Sequence, residues 1–231
     1  MFDNLFGRFY EQFIVQKGYQ MMLDGLKSTV IIALGALVIG VLMGTLVAIV
    51  KVRQNRGVIG WILSGIADIY IAIIRGTPVM VQLLLVYFGL LSPLGVSAMI
   101  VAILVFGLNS GAYVAEIIRS GIQAVDKGQM EAARSIGMTR AQAMKLIVIP
   151  QALKIVLPSF GNEFVSLIKE TSVLSYVGVV EILRKGALWN AATFNTFEAY
   201  IGVALVYMLL TIPSSKLVKH LEKKMANSNA E

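Results

Sequence analysis

The stretch STVIIALGALVIGVLMGTLVAIV, residues 28–50, runs for 23 residues without a charged side chain. A bilayer core about 30 Å thick needs about 20 helical residues at about 1.5 Å each, so this run alone can cross it. Lys51, Arg53 and Arg56 close it on one side, and Asp24 and Lys27 lie ahead of it, so the helix is expected to begin near Tyr19. The rest of the chain has the same character. Of 231 residues, 57% are hydrophobic and only 14% charged, with a mean hydropathy of +0.78. A soluble domain carries about 25% charged residues. That imbalance is too large to hide in a core, so the apolar surface must face lipid. The net charge of +7 could suggest nucleic acid, but the basic residues sit in short clusters between apolar runs, and no nucleic-acid partner is expected. The chain has no Cys and a single His, His220, which leaves no thiolate nucleophile and no His pair for a metal or triad.

Outward from the first span, four more are expected. The second starts near Val58, carries Asp68 and Arg75, and should kink or break at Pro78, which lacks a backbone donor. From Gly76 to Ala115 there is no charge, which is room for two crossings divided by Ser92-Pro93-Leu94-Gly95. The third span then occupies about residues 96–125. A fourth covers about 144–170, interrupted by Pro150 and Pro158, and a fifth about 198–215.

Orientation follows from the basic residues, because Lys and Arg collect on the cytoplasmic side. With the N-terminus outside, twelve of the 20 fall in cytoplasmic segments, among them Arg134, Arg140, Lys216, Lys219, Lys223 and Lys224. Five, Arg8, Lys17, Lys169, Arg184 and Lys185, fall outside. The fold class expected is therefore all-α and integral to the membrane, with five spans, N-terminus out and C-terminus in. Residues 1–18 do not read as a cleavable signal peptide. Phe2, Leu5, Phe6, Phe9, Tyr10 and Phe13 recur there at helical spacing, which suits either a helix lying flat at the outer interface or an ordinary packed helix end. Residues 19–222 form the transmembrane domain and 223–231 a cytoplasmic tail, frayed beyond Lys224.

Between the third and fourth spans lies a loop of about residues 126–142. Asp126 followed by Gln129 offers a helix cap, so a short helix is expected over 129–136. Gly137 stands where a left-handed residue ends a helix. Thr139 and Gln142 repeat the cap pattern, and a second helix should begin at once. Two short helices at a sharp angle make a lever; a plain amphipathic loop is the alternative on spacing alone.

Glu131-Ala132-Ala133, Gly137 four residues after Ala133, and Ile149-Pro150 resemble the EAA loop of ATP-binding-cassette importer permeases. Arg75-Gly76-Thr77-Pro78, Tyr113 to Ile117, Gly128-Gln129, Pro150-Gln151-Ala152 and Lys169-Glu170-Thr171-Ser172 follow in the order found in the polar amino acid uptake family. The resemblance spans about residues 19–215 and implies a type I importer permease fold with a cytoplasmic coupling helix. It implies that Glu131, Ala132 and Gly137 couple to a separate ATPase subunit, with Glu131 also favoured by the helix dipole in the first turn. It implies a second permease subunit, identical or not, and an extracytoplasmic binding protein that delivers a polar amino acid, all at a bacterial inner membrane. The chain has no Gly-Lys dipeptide and so no P-loop. It is expected to be no enzyme and to hold no cofactor, ATP and Mg being bound by the partner. A transporter driven by an ion gradient is the competing reading, although the proline breaks do not fall in two matching halves as they commonly do there.

Glu163 is the candidate substrate residue. A carboxylate at the centre of a span costs about 2.5–3.5 kcal/mol and should face a pathway or a partner. Ser159 and Ser166 share its helical face and Asn162 is adjacent. In the resembled family this region borders the central path, Asn162 matching a motif position. A carboxylate there would suit a substrate ammonium or guanidinium, hence a lean toward basic amino acids. The alternative is a structural pair with a cation such as Lys154 or Lys169, or a protonated Glu bonded to a neighbouring helix.

Overall fold

The computed structural model describes residues 7–52 and 57–227. Among them the chain is helical, with no strand. We label the helices α1 (Gly18–Val52), α2 (Val58–Gly76), α3 (Val79–Val86), α4 (Ala98–Ala124), α5 (Lys127–Ser135), α6 (Arg140–Ala143), α7 (Ile149–Glu170), α8 (Ile182–Thr193) and α9 (Thr196–Asn227). Five helical segments are long and apolar enough to cross a membrane: Gly18–Val52, Val58–Gly76, Ala98–Ala124, Arg140–Val177 and Thr196–Met225. The five expected crossings are all there.

The breaks show why each helix stops where it does. Thr77 is extended (φ −126°, ψ 145°) ahead of Pro78, so α2 ends and α3 starts afresh. Its hydroxyl caps the end by donating to the Ile73 carbonyl at 2.8 Å. A 3-10 turn over Ser92–Leu94 ends at Gly95 with φ +73° and divides the uncharged run. The two prolines of the fourth span behave differently from each other. Pro150 is the second residue of α7 and has no amide to donate, and the α-helical pattern is interrupted just ahead of it by a wide π-helical turn at Met144–Val148. Pro158 lies inside an unbroken α7. One missing bond is tolerated there because packing holds both flanks: a Cβ on Gly121 would meet Val156 at 2.3 Å, and one on Gly161 would meet Val218 at 2.5 Å.

The chain divides into two compact units. The first comprises Met1–Ala36, Val79–Phe106 and Val165–Ser214. Its core is Met22, Ile182, Trp189, Ala199, Val203 and Val206. Phe13 packs on this cluster with its ring tilted, its centroid 5.8 Å from that of Trp189 and 6.4 Å from that of Tyr19. Those contacts tie Phe13 to the first unit; Phe2, Leu5 and Phe6 lie outside the described residues. α8 was not foreseen. It is 12 residues long, too short to span, and nothing in its hydropathy separates it from a loop.

The second unit comprises Leu37–Pro78, Gly107–Phe164 and Ser215–Glu231. Here α1 meets α4 through small residues. Gly40 and Gly44 on α1 are so close that a Cβ would come 2.7 Å from the Ser110 hydroxyl and 2.5 Å from Val114. Small residues four apart let membrane helices approach at backbone distance. Lys51 at the end of α1 pairs with Asp68 of α2. α9 also runs farther than the fifth span predicted, through Asn227. Residues 225–227 are therefore helical rather than frayed, while 228–231, and Arg53 and Arg56 of the first span's closing cluster, lie outside the described residues.

Candidate functional site

The loop after α4 is built by local hydrogen bonds. Asp126 Oδ1 accepts from the Gly128 amide at 2.6 Å and starts α5. At the other end the Gly137 amide donates to the Arg134 carbonyl and the Met138 amide to the Ala133 carbonyl, both at 3.1 Å. This paired closure requires a left-handed residue, and Gly137 has φ +91°. Thr139 then forms a capping box with Gln142, which opens α6. The reversal between the two helices thus falls where the cap pattern predicts it.

Which face of α5 is presented follows from packing. Ala133 is buried, and Met130 packs on a cluster of Val125, Val148 and Ala152. Gln151 of α7 donates to Gln129 at 3.3 Å and ties the loop to the span. Glu131, Ala132 and Gly137 are exposed. Ile136 stands beside them, 77% exposed on the loop. In the sequence it reads only as the last residue of the short helix. One correction concerns Glu131. α5 begins at Lys127, so Glu131 is beyond the first turn and no acid occupies that turn. The cap at Asp126 starts the helix two residues earlier than expected, and the dipole no longer accounts for Glu131.

The polar residues of α7 separate. Glu163 Oε1 accepts from the Ser110 hydroxyl of α4 at 2.8 Å. This is a bond to a neighbouring helix, and Gly40 makes room beside it. Its other oxygen makes no protein hydrogen bond among the described residues. Asn162 is exposed beside it. Ser159 turns back on its own helix, donating to the Ile155 carbonyl at 3.4 Å. Ser166, three residues after Glu163 on α7, belongs to the first unit. So Glu163 and Asn162 stay together as candidates, Ser110 joins them, and Ser159 is engaged by its backbone.

A second charged group in the same unit was only half legible. Glu116 takes the Arg119 guanidinium on both oxygens, at 2.6 to 3.2 Å, as the spacing of three residues allows. Arg75 also comes within 3.9 Å of Glu116. Its guanidinium lies 5.3 Å from the centroid of the Tyr113 ring, a cation–π distance. Arg75 precedes Gly76-Thr77-Pro78, so the break that ends α2 also places this charge against α4. Such a cross-helix pair has no sequence signal beyond the presence of the residues.

In the first unit, Glu181 was missed entirely. It is fully buried and caps α8, accepting from the Leu183 amide at 2.7 Å and the Arg184 amide at 2.6 Å. Tyr207 of α9 donates to it at 2.9 Å. Burial pushes its carboxyl above the ordinary 4.5, against the opposing pull of those hydrogen bonds. A Cβ on Gly25 would come 2.9 Å from the Glu181 backbone, so α1 packs directly against the start of α8. Among the described residues no group of three or more His, Cys, Asp or Glu is placed to hold a metal.

Residues 36–227 match the family described as binding-protein-dependent transport system inner membrane component. The chain belongs to that family. It is an integral membrane permease, and the fold is that of importer permeases of the ATP-binding-cassette class. Family membership decides against the ion-gradient reading. The permease is 38% identical over 227 residues to the putative glutamine transport system permease protein of Rickettsia conorii, covering 97% of this chain and 99% of that one. It is 37% identical over 210 residues to the arginine transport system permease protein of Bacillus subtilis, covering 90% and 94%. Among solved structures, an amino acid ABC transporter crystallised with histidines superposes with a TM-score of 0.84 at 42% identity, over 91% of this chain and 96% of that one. A methionine ABC transporter shares the fold at 17% identity, with a TM-score of 0.71 over 88% and 97%.

Proposed function

We propose that this permease is one of two membrane subunits of an ATP-driven importer for polar amino acids, and that the loop of residues 126–142 docks on a separate ATPase subunit. The observation that carries the reading is the loop itself. Two caps and a left-handed Gly137 hold α5 and α6 rigidly at an angle, with Glu131, Ala132 and Ile136 facing out. A rigid, outward-facing lever between two spans suits the transmission of force. ATP and Mg are handled by the partner, and a binding protein delivers substrate on the other side, with the N-terminus outside and the C-terminus in the cytoplasm of a bacterial cell. Glu163, with Asn162, is the substrate residue we favour, its bond to Ser110 holding the carboxylate in place. The relatives named for glutamine and arginine support a polar substrate, and the carboxylate favours a cationic one. Ser159 and Ser166 keep a lesser place in that proposal.

The test is uptake of a panel of labelled amino acids into proteoliposomes holding the permease with its ATPase and binding protein. ATP-dependent uptake of a polar amino acid is expected. Glu163→Gln should sharply reduce uptake of arginine or lysine and spare neutral substrates, whereas equal loss for every substrate with poor assembly would assign Glu163 a purely structural role.

A further inference from the structure

The last turns of α9 carry Lys216, Lys219, His220, Lys223 and Lys224, all exposed. None of the four lysines has an ion-pair partner among the described residues. At 100° per residue they occupy an arc of roughly 140° with His220 inside it. Val218 points the opposite way. It is buried and lies against Gly161 of α7, where a Cβ would leave only 2.5 Å. That contact fixes the rotation of α9 and turns the basic arc away from the protein. Beside the arc, Leu217 and Leu221 are 61% and 39% exposed.

We propose that this face binds the headgroups of anionic phospholipids. The site extends the permease reading, since it takes α9 as a membrane span. Three features favour lipid over an acidic protein surface. The lysines begin at residue 216, directly after the apolar run and Ser214-Ser215, so lipid headgroups reach them first. The headgroup layer adds roughly 5–7 Å to each side of the hydrocarbon, and lysine stems can reach back along the helix to it. Exposed leucines adjoining the cations suit an apolar neighbour, and the bilayer surface, already met by the span before them, offers anionic groups and hydrocarbon together. Lysine, a compact point charge on a flexible stem, suits a shifting population of phosphates better than a fixed bidentate partner. Each lysine near an anionic surface strengthens attraction roughly fivefold. Four on one helix would hold this end of α9 against the membrane, and through Val218 and Gly161 would bias the position of α7.

The chain has no cysteine, so a single His220→Cys can carry an environment-sensitive fluorophore on the arc. The labelled permease, with or without its ATPase, is placed in nanodiscs of phosphatidylcholine alone or of equal parts phosphatidylcholine and phosphatidylglycerol. The expected result is a blue shift only with phosphatidylglycerol, reversed at roughly 1 M salt, where the screening length is about 3 Å. Changing all four lysines to Gln should abolish the shift, and changing all four to Arg should keep it. If the fourfold Gln variant fails to insert, Lys223→Gln with Lys224→Gln, which leaves Lys216 and Lys219 as topology signals, should weaken the lipid preference roughly 25-fold. A shift equal in both lipids, or one that survives the Gln variants, overturns the proposal. So does a shift that follows addition of ATPase whatever the lipid, which would make the face a protein contact. Symmetric discs make the readout independent of chain orientation. Failure of ATP-dependent uptake in the proteoliposome assay, with the lipid-dependent shift in nanodiscs intact, would count against the importer reading and leave this site standing.

Discussion

Asp126 and Glu181 do the same local job in different surroundings. Each is a carboxylate at the start of a short helix, accepting from backbone amides at 2.6–2.7 Å. Asp126 is exposed at the head of α5, whereas Glu181 is fully buried at the head of α8 and also takes the Tyr207 hydroxyl. The difference teaches where each helix gets its position. α5 is set by its own residues, through caps that water could partly replace. α8 is set by the rest of the first unit, which encloses a charge and must satisfy it.

The comparison breaks most visibly at Glu181. Glu181→Ala leaves two amides and a hydroxyl buried without an acceptor, and should destabilise the protein by about 3–5 kcal/mol. Thermal unfolding in detergent would check this, and a loss no larger than that of an exposed cap would refute the buried role. Gly137→Val comes next. A β-branched side chain at φ +91° is strongly disfavoured, at a local cost of about 2 kcal/mol. Membrane insertion should be normal and ATP-driven uptake impaired; full uptake by a well-expressed variant would remove the lever. Asp126→Ala should cost about 1 kcal/mol, with water serving the freed amide. A drop in melting temperature matching that of Glu181→Ala would erase the distinction between the two sites.

The smallest effect concerns pH. Burial raises the Glu181 carboxyl above its ordinary 4.5. A raised folded value means its contribution is fully present below about 4.5 and is lost as pH climbs through the raised value. The melting temperature of the native protein relative to Glu181→Gln should therefore be most favourable in acid and decline on that rise. A difference that grows with pH would mean the hydrogen bonds to the carboxylate outweigh its burial.

Much of this is legible in the sequence. Uncharged runs located the first span and the stretch from Gly76 to Ala115, apolar runs broken by a few charges located the others, and Pro78 and Ser92 to Gly95 marked the breaks between them. The cap pattern located α5, Gly137 and α6, because helix ends are decided by residues within three or four positions of each other. The Gly40 and Gly44 pair was also readable as a close-approach motif, though it passed unremarked. Other features were beyond reach. The bond from Ser110 to Glu163 joins residues 53 apart, that from Tyr207 to Glu181 joins residues 26 apart, and Asp24 meets Lys185 across 161 positions. An apolar span looks the same whether it faces lipid or another helix, since both neighbours are hydrocarbon. So the sequence by itself determined how many helices cross, where Pro78 and Gly95 break the chain and how the loop turns, but not α8 or the last turns of α9. Which faces meet, and hence which buried charge finds a partner, was decided only by the packed structure, because that depends on close approaches between residues far apart in the chain.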